Sequence, residues 1–280
     1  MKKFFRPLSI AALVALSFVT NAQIITPQPS PGATFTQNVG MTEIKVEYSR
    51  PSMKGRKVFG GLIPFGDVYR LGANAATRFT TSDSITIGGK GLPKGTYILM
   101  AKPGASEWEI MFNKNLSASA PNFKAEDVVA TVKASSQELP FTVETFTIMV
   151  GDITNTSASL DILWDKTIVR IPFTNDVDSK VMAQIKQKLD GPTQNDYYAM
   201  STYYFEAGKD SKQALEFVNK ALDKGEPRFW MLRHKSLVQA KMGDKKGAIE
   251  SAKKSLTLAK EAKNNDYIRM NEASIKEWSK

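Results

Sequence analysis

Between Arg50 and Arg78 the chain sets six bases, Arg50, Lys54, Arg56, Lys57, Arg70 and Arg78, against a single acid, Asp67. Guanidinium and ammonium groups grip carboxylates, phosphates and sulfated or uronic sugars through charge-assisted hydrogen bonds, so a local surplus of this kind favours anionic partners. Tyr69 abuts Arg70, and Asn74 and Thr77 bring short polar side chains within a few residues of it. An arginine fork takes a carboxylate bidentately while an asparagine amide supplies both a donor and an acceptor. A tyrosine exposed beside such groups is a common sugar platform. Arg50, Arg56, Tyr69, Arg70, Asn74 and Thr77 are therefore the expected ligand-binding residues. A structural reading fits the same residues: Asn74 caps the turn after Gly72, and Arg70 pairs with Asp67 to tie the loop to a sheet.

Other chemistry is scarce. The chain has no cysteine, and its one histidine, His234, stands between Arg233 and Lys235 far from the loop. A Cys–His or Ser–His–Asp site cannot be assembled near the loop, and zinc loses its usual ligands; His234 reads as a surface or packing residue. Asp152, Asp161 and Asp165 do not place several oxygen ligands at alternate positions as a calcium loop does, and no glycine-rich loop runs into Lys-Ser or Lys-Thr to cradle a phosphate. No metal or cofactor is expected. Carboxylate chemistry of the two-acid kind remains, with Glu43, Glu47 and Asp67 as its acids, although Glu43 and Glu47 fall on the polar face of a strand. A non-catalytic binding protein is the expectation, and a carboxylate-dependent hydrolase of cell-envelope glycans the alternative.

The loop needs a scaffold, because five glycines and two prolines between Arg50 and Gly72 suit neither a plain helix nor a plain strand. Residues 42–48 alternate, with Ile44, Val46 and Tyr48 on one face, which describes a half-buried strand. Short strand patterns follow at 79–81, 84–87, 97–99, 107–112 and 127–132, punctuated by Gly88-Gly89-Lys90 and Pro93-Lys94-Gly95 turns. Residues 141–150, 157–164 and 167–173 are rich in Thr, Val, Ile and Phe, with Asp165-Lys166 as a hairpin-length connection. Trp108 and Trp164 are expected in the core. Strands this short and evenly spaced predict an antiparallel, jelly-roll-like β-sandwich of about 150 residues, placed here at 34–174 after a proline-bearing linker at 23–33.

From residue 175 the period changes to three and four: Val177, Val181, Met182, Ile185 and Leu189 recur, with Asp176 or Asp178 to cap the helix and Gly191-Pro192 to end it. Gln213-Ala214-Leu215 and Lys220-Ala221-Leu222 return 34 residues later as Gly247-Ala248-Ile249 and Lys254-Ser255-Leu256. That period marks a tetratricopeptide-like helical domain over 175–280, a scaffold that docks a protein partner. At the other end, Lys2, Lys3 and Arg6, an apolar run at 8–19 and Thr20-Asn21-Ala22 describe a secretory signal cleaved near Ala22, hence a periplasmic or secreted protein. No later stretch approaches the ~20 apolar residues of a membrane helix, so no transmembrane segment is expected and the mature chain is expected to be soluble. The formal charge is +10, or +7 without the leader's three bases. Nucleic acid is not an expected partner, because no recognition helix or aromatic-basic motif accompanies the charge.

Tyr48-Ser49-Arg50-Pro51, Lys54-Gly55-Arg56, Phe59-Gly60, Leu62-Ile63-Pro64-Phe65-Gly66, Tyr69-Arg70-Leu71-Gly72-Ala73-Asn74 and Thr77 stand in an order that resembles the domain-of-unknown-function family 2911 of exported bacterial proteins. Gly89-Lys90, Leu92-Pro93, Gly95-Thr96-Tyr97, Trp108 and Phe112-Asn113 continue the similarity, which covers roughly residues 28–173. The resemblance implies a ranking of sites, not an activity, since the family has none assigned. Three departures stand out: Tyr69 where the family usually has Trp, Ala75 where it usually has Glu, and Leu116-Ser117-Ala118-Ser119-Ala120 in place of an aromatic-glycine segment. Were that Glu a general acid in the family, this member would be inactive.

Overall fold

The computed structural model describes residues 26–188 and 191–280, which fall into two compact units, one ending at Asn175 and the other beginning at Asp176. The expected signal segment, residues 23–25 of the linker, and Leu189 lie outside the described residues. The first unit is antiparallel throughout. Its strands are β1 (Gly32–Val39), β2 (Thr42–Ser49), β3 (Arg78–Thr81), β4 (Ile85–Ile87), β5 (Lys90–Leu92), β6 (Gly95–Lys102), β7 (Glu107–Asn113), β8 (Val128–Gly151) and β9 (Ser157–Asn175), hydrogen-bonded in the order β1-β2-β3-β6-β7-β8-β9-β4-β5.

The two longest strands turn this sheet into a sandwich. Nine extended residues would hold Asp161 and Arg170 about 30 Å apart, yet Arg170 Nη2 lies 3.1 Å from Asp161 Oδ2 and the Asn175 N–H donates to Thr156 O at 3.0 Å. β9 therefore doubles back at Asp165, whose φ is 54°, where the sequence places a hairpin connection. Residues 136–138 of β8 pair with 167–169 on the returning arm, and 147–151 with 159–163 on the outgoing arm. Hence β8 reverses too, at the register break between Glu138 and Val143, where Pro140 withholds a ladder donor. The second layer is stitched to the end of β2: Met53 N–H donates to Glu144 O and Phe146 N–H to Pro51 O, both at 2.9 Å.

Inward residues of both layers form one core, including Val46, Phe79, Leu99, Phe112, Phe146, Leu160, Ile162 and Phe173. Trp108 and Trp164 are each 1% exposed. Phe59 of the basic loop closes one end, its ring 4.7 Å from Trp108 and 6.2 Å from Trp164, edge to face. β1 was not foreseen as a strand; its inward positions hold Ala33 and Gln37 beside Phe35 and Val39, too weak a pattern to separate from the linker.

Among the described residues the second unit has six helices: α1 (Val177–Lys188), α2 (Gln194–Glu206), α3 (Ser211–Asp223), α4 (Phe229–Lys241), α5 (Lys245–Glu261) and α6 (Asn265–Trp278). Five of the six starts have a side-chain cap, α4 being the exception. Asp176 Oδ1 accepts from Ser179 N–H, Thr193 and Asp196 form a capping box, and Asp210, Asp244 and Asn264 accept from first-turn N–H groups. Gly208 and Gly243, at φ 66° and 85°, turn the chain between α2 and α3 and between α4 and α5. Ala214 and Ala248, 34 residues apart, are fully buried, and a second series at a spacing of 35, Ser201, Ser236 and Asn271, is fully buried as well. These small side chains let helices approach and tie them by hydrogen bonds: Ser201 to Ala214 O at 2.6 Å, Ser255 to Phe229 O at 2.7 Å, and Asn271 Nδ2 to Ser255 Oγ at 2.9 Å. No helix among the described residues is long and apolar enough to cross a membrane.

Candidate functional site

The loop between β2 and β3 is a knot of backbone turns with most of its polar side chains tied inward. Arg50 Nε donates to Phe146 O at 3.0 Å and Nη2 to Thr147 Oγ1 at 2.8 Å, so this arginine clamps the loop to β8. Arg56 folds back on its own turn, donating to Met53 O at 2.8 Å and Ser52 O at 2.7 Å. Tyr69 is buried; its hydroxyl accepts from Gly72 N–H at 2.8 Å, and its backbone exchanges hydrogen bonds with Ala101 of β6. Burial pushes the Tyr69 phenol well above its ordinary pKa, against the opposite pull of the Gly72 N–H and Arg70. Thr77 donates its hydroxyl to Leu71 O. Asn74, left-handed at φ 55°, donates its amide to Ser30 O at 3.2 Å and Ser49 Oγ at 3.4 Å.

Of the six residues expected to bind ligand, Arg50, Tyr69, Asn74 and Thr77 thus hold the loop against the sheet. Arg70 alone projects an exposed head with no hydrogen bond or ion pair among the described residues. Asp67 is also exposed, and the expected Arg70–Asp67 pair is not formed.

Strand register brings together a set that sequence spacing hides. Thr34, Glu47, Arg78, Ile98, Asn113 and Val128 follow one another in register across β1, β2, β3, β6, β7 and β8, on the face away from the main core, where Ile98 and Val128 join a smaller apolar cluster with Met100 and Met111. Beside the row opens a cavity of about 390 Å³ lined by Thr34, Glu47, Ser49, Ala75, Ala76 and Arg78, with neighbouring backbone of β1 and β2. Lys45 Nζ lies 3.1 Å from Glu47 Oε1. Arg78 faces Glu47 in register yet makes no ion pair among the described residues, and both side chains line the cavity. Two strands away, Asn113 is fully buried, its Oδ1 accepting from Asn115 N–H at 2.8 Å while its Nδ2 has no partner. Both residues were in view in the sequence, but only register joins them. Ala75, where the resemblance leads one to expect Glu, borders the same cavity.

Asp161 and Asp152 are engaged in structure. Asp161, 3% exposed, receives a bidentate pair of bonds from Arg170, which also reaches Asp152 at 3.3 Å. Among the described residues no group of three His, Cys, Asp or Glu could hold a metal ion. His234 is buried in the helical unit between the edges of Tyr198 and Phe205. Ser201 spends its proton on Ala214 O, so His234 Nε2 must donate to Ser201 Oγ across 2.9 Å. A family model described as "Protein of unknown function (DUF2911)" matches residues 30–173. No curated protein and no solved structure matches the chain.

Proposed function

The chain belongs to this family of proteins of unknown function, and on its own geometry we propose that it is an exported, non-catalytic binding protein, periplasmic or secreted after cleavage near Ala22. Its sandwich holds an anionic or carbohydrate-like ligand. Its helical unit is a short tetratricopeptide-like array that docks a protein partner, a reading supported by the buried small residues recurring at 34 and 35.

The observation that carries the ligand reading is Arg78: a guanidinium on the wall of an open cavity, with its cross-strand carboxylate already engaged by Lys45. Arginine in that position presents a planar fork to a carboxylate, sulfate or phosphate. The hydrolase alternative needs two carboxylates facing one cleft, and Glu47 is the one carboxylate among the residues lining this cavity.

A binding screen across uronic, sulfated and phosphorylated glycans tests the reading. Arg78→Ala should weaken the retained ligand about tenfold or more, as should Ala75→Glu, which sets a rival carboxylate beside Arg78. Neither change touches the core, so the melting temperature should hold. Binding untouched by both substitutions would remove the cavity from consideration, and a screen with no ligand at all would remove the function.

A further inference from the structure

The tip of the basic loop is built unlike the cavity that Arg78 borders. Residues 57–63 fold into a tight turn: Leu62 N–H donates to Lys57 O and Ile63 N–H to Val58 O, both at 2.9 Å, and Gly60 N–H to Ile63 O at 2.8 Å. Two side chains nail that turn to the sandwich, Val58 with no exposure at all and Phe59 against the two core tryptophans. With the inward positions filled, Leu62 and Phe65 point outward, 39% and 46% exposed. Pro64, between them, is exposed too. Phe141, the most exposed large apolar residue at 58%, lies three residues before Glu144, whose carbonyl receives Met53 N–H and whose carboxylate receives Lys54 N–H.

Charge lies directly beside the turn. Lys54, Arg56 and Lys57 are exposed and make no ion pair among the described residues, and residues 51–66 contain no acid. Asp67 follows just beyond the turn, and Glu144 Oε1 accepts from the Lys54 N–H. The Phe65 ring lies over Gly60, yet it and Leu62 keep 46% and 39% of their surface in water, and a small apolar tip flanked by cations matches one kind of surface, in which acyl chains lie beneath a layer of negative headgroups. Because the turn is already rigid, no ordering has to accompany insertion.

We propose that this tip is a membrane-surface contact, in which Leu62 and Phe65 enter the interface of an anionic lipid bilayer while Lys54, Arg56 and Lys57 engage headgroups. The proposal does not rest on the Arg78 cavity, with which the tip shares no residue.

Vesicle co-sedimentation tests it on the chain from Gln23 onward, which contains every described residue and lacks the apolar leader. Phosphatidylglycerol–phosphatidylcholine vesicles should pellet the protein, pure phosphatidylcholine vesicles should not, and molar salt should release it. The double change Leu62→Asp with Phe65→Asp should lower vesicle partitioning about tenfold or more, and Lys54→Glu with Lys57→Glu should do likewise on anionic vesicles. All four positions are exposed, so circular dichroism should show the parent fold in both variants. Wild type left in the supernatant with anionic vesicles, or pelleted equally with either variant, would overturn the proposal. Equal pelleting of wild type on neutral vesicles would overturn its anionic part. Loss of glycan binding in the Arg78→Ala protein with vesicle binding intact would show the two surfaces to be separate, as the proposal requires.

Discussion

Three residues near the centre of the loop, Leu71, Gly72 and Asn74, sit at φ 51°, 137° and 55°, a concentration of left-handed backbone that only a well-anchored segment sustains. Leu71 is held there by complete burial and by the Thr77 hydroxyl on its carbonyl, Asn74 by its amide bonds to Ser30 and Ser49. Gly72 has a further reason for its identity, because a Cβ there would stand 2.7 Å from Ser49 O. Gly72→Ala should therefore destabilise the sandwich by about 2 kcal/mol or more, through strain and overlap together. Gly55→Ala, at φ 72° with open space around it, should cost about 1 kcal/mol from backbone strain alone. Urea midpoints of the two variants measure the gap, and equal midpoints would refute the close-approach argument. The loop's glycine content and its basic surplus were both legible in the sequence. Which polar groups faced inward was not, since the partners of Arg50 lie 96 and 97 residues away and no local spacing encodes them.

At the scale of elements, alternation revealed β2 and the arms of β8 and β9, because their inward positions are branched or aromatic. It missed β1, and it could not supply register, which is what sets Glu47 beside Arg78 and Arg78 two strands from Asn113. The helices were more transparent. Asp210 and Asp244 mark the starts of α3 and α5, and Gly208 and Gly243 the turns before them. The series Ser201, Ser236 and Asn271 is hidden because its spacing is 35 while α3 and α5 keep 34 and its residue type changes from Ser to Asn. Asp244→Ala removes the acceptor for Gly247 N–H at 2.8 Å and should cost about 1 kcal/mol of helical-unit stability. Asp223→Ala, at the C-terminal end of α3 where a negative charge opposes the helix dipole, should leave stability unchanged or slightly raised. Thermal unfolding followed by circular dichroism separates the two, and a harmless Asp244→Ala would refute the capping role.

Over the whole molecule, charge and acid sensitivity divide unevenly. The segment 175–280 carries 20 bases and 15 acids, against 15 and 13 for 23–174. The histidine belongs to the helical unit, and burial lowers its pKa below the ordinary 6.5, more strongly than the Ser201 contact raises it. The unfolded chain thus takes up a proton near pH 6.5 that the folded unit resists. Stability from neutral His234 is complete above that pH and falls away as the solution becomes more acidic. The helical melting temperature should decline between neutral pH and about pH 5, and His234→Gln should flatten that decline. An unchanged slope in the variant would assign the acid sensitivity elsewhere.

The stitch between the end of β2 and β8 has a consequence in time. Ser52 and Thr145 are separated by 93 residues, so their contact closes one of the longest loops in the unit, and the entropy of that closure must be met after nearer pairings exist. As the chain emerges amino end first from a ribosome or an export channel, residues 50–77 appear long before Glu144, Phe146 and Thr147, the partners that pin them. Until β8 has emerged, Arg50, Met53 and Lys54 lack the partners that pin them. A nascent chain cut short before residue 144 carries the loop without its clamp.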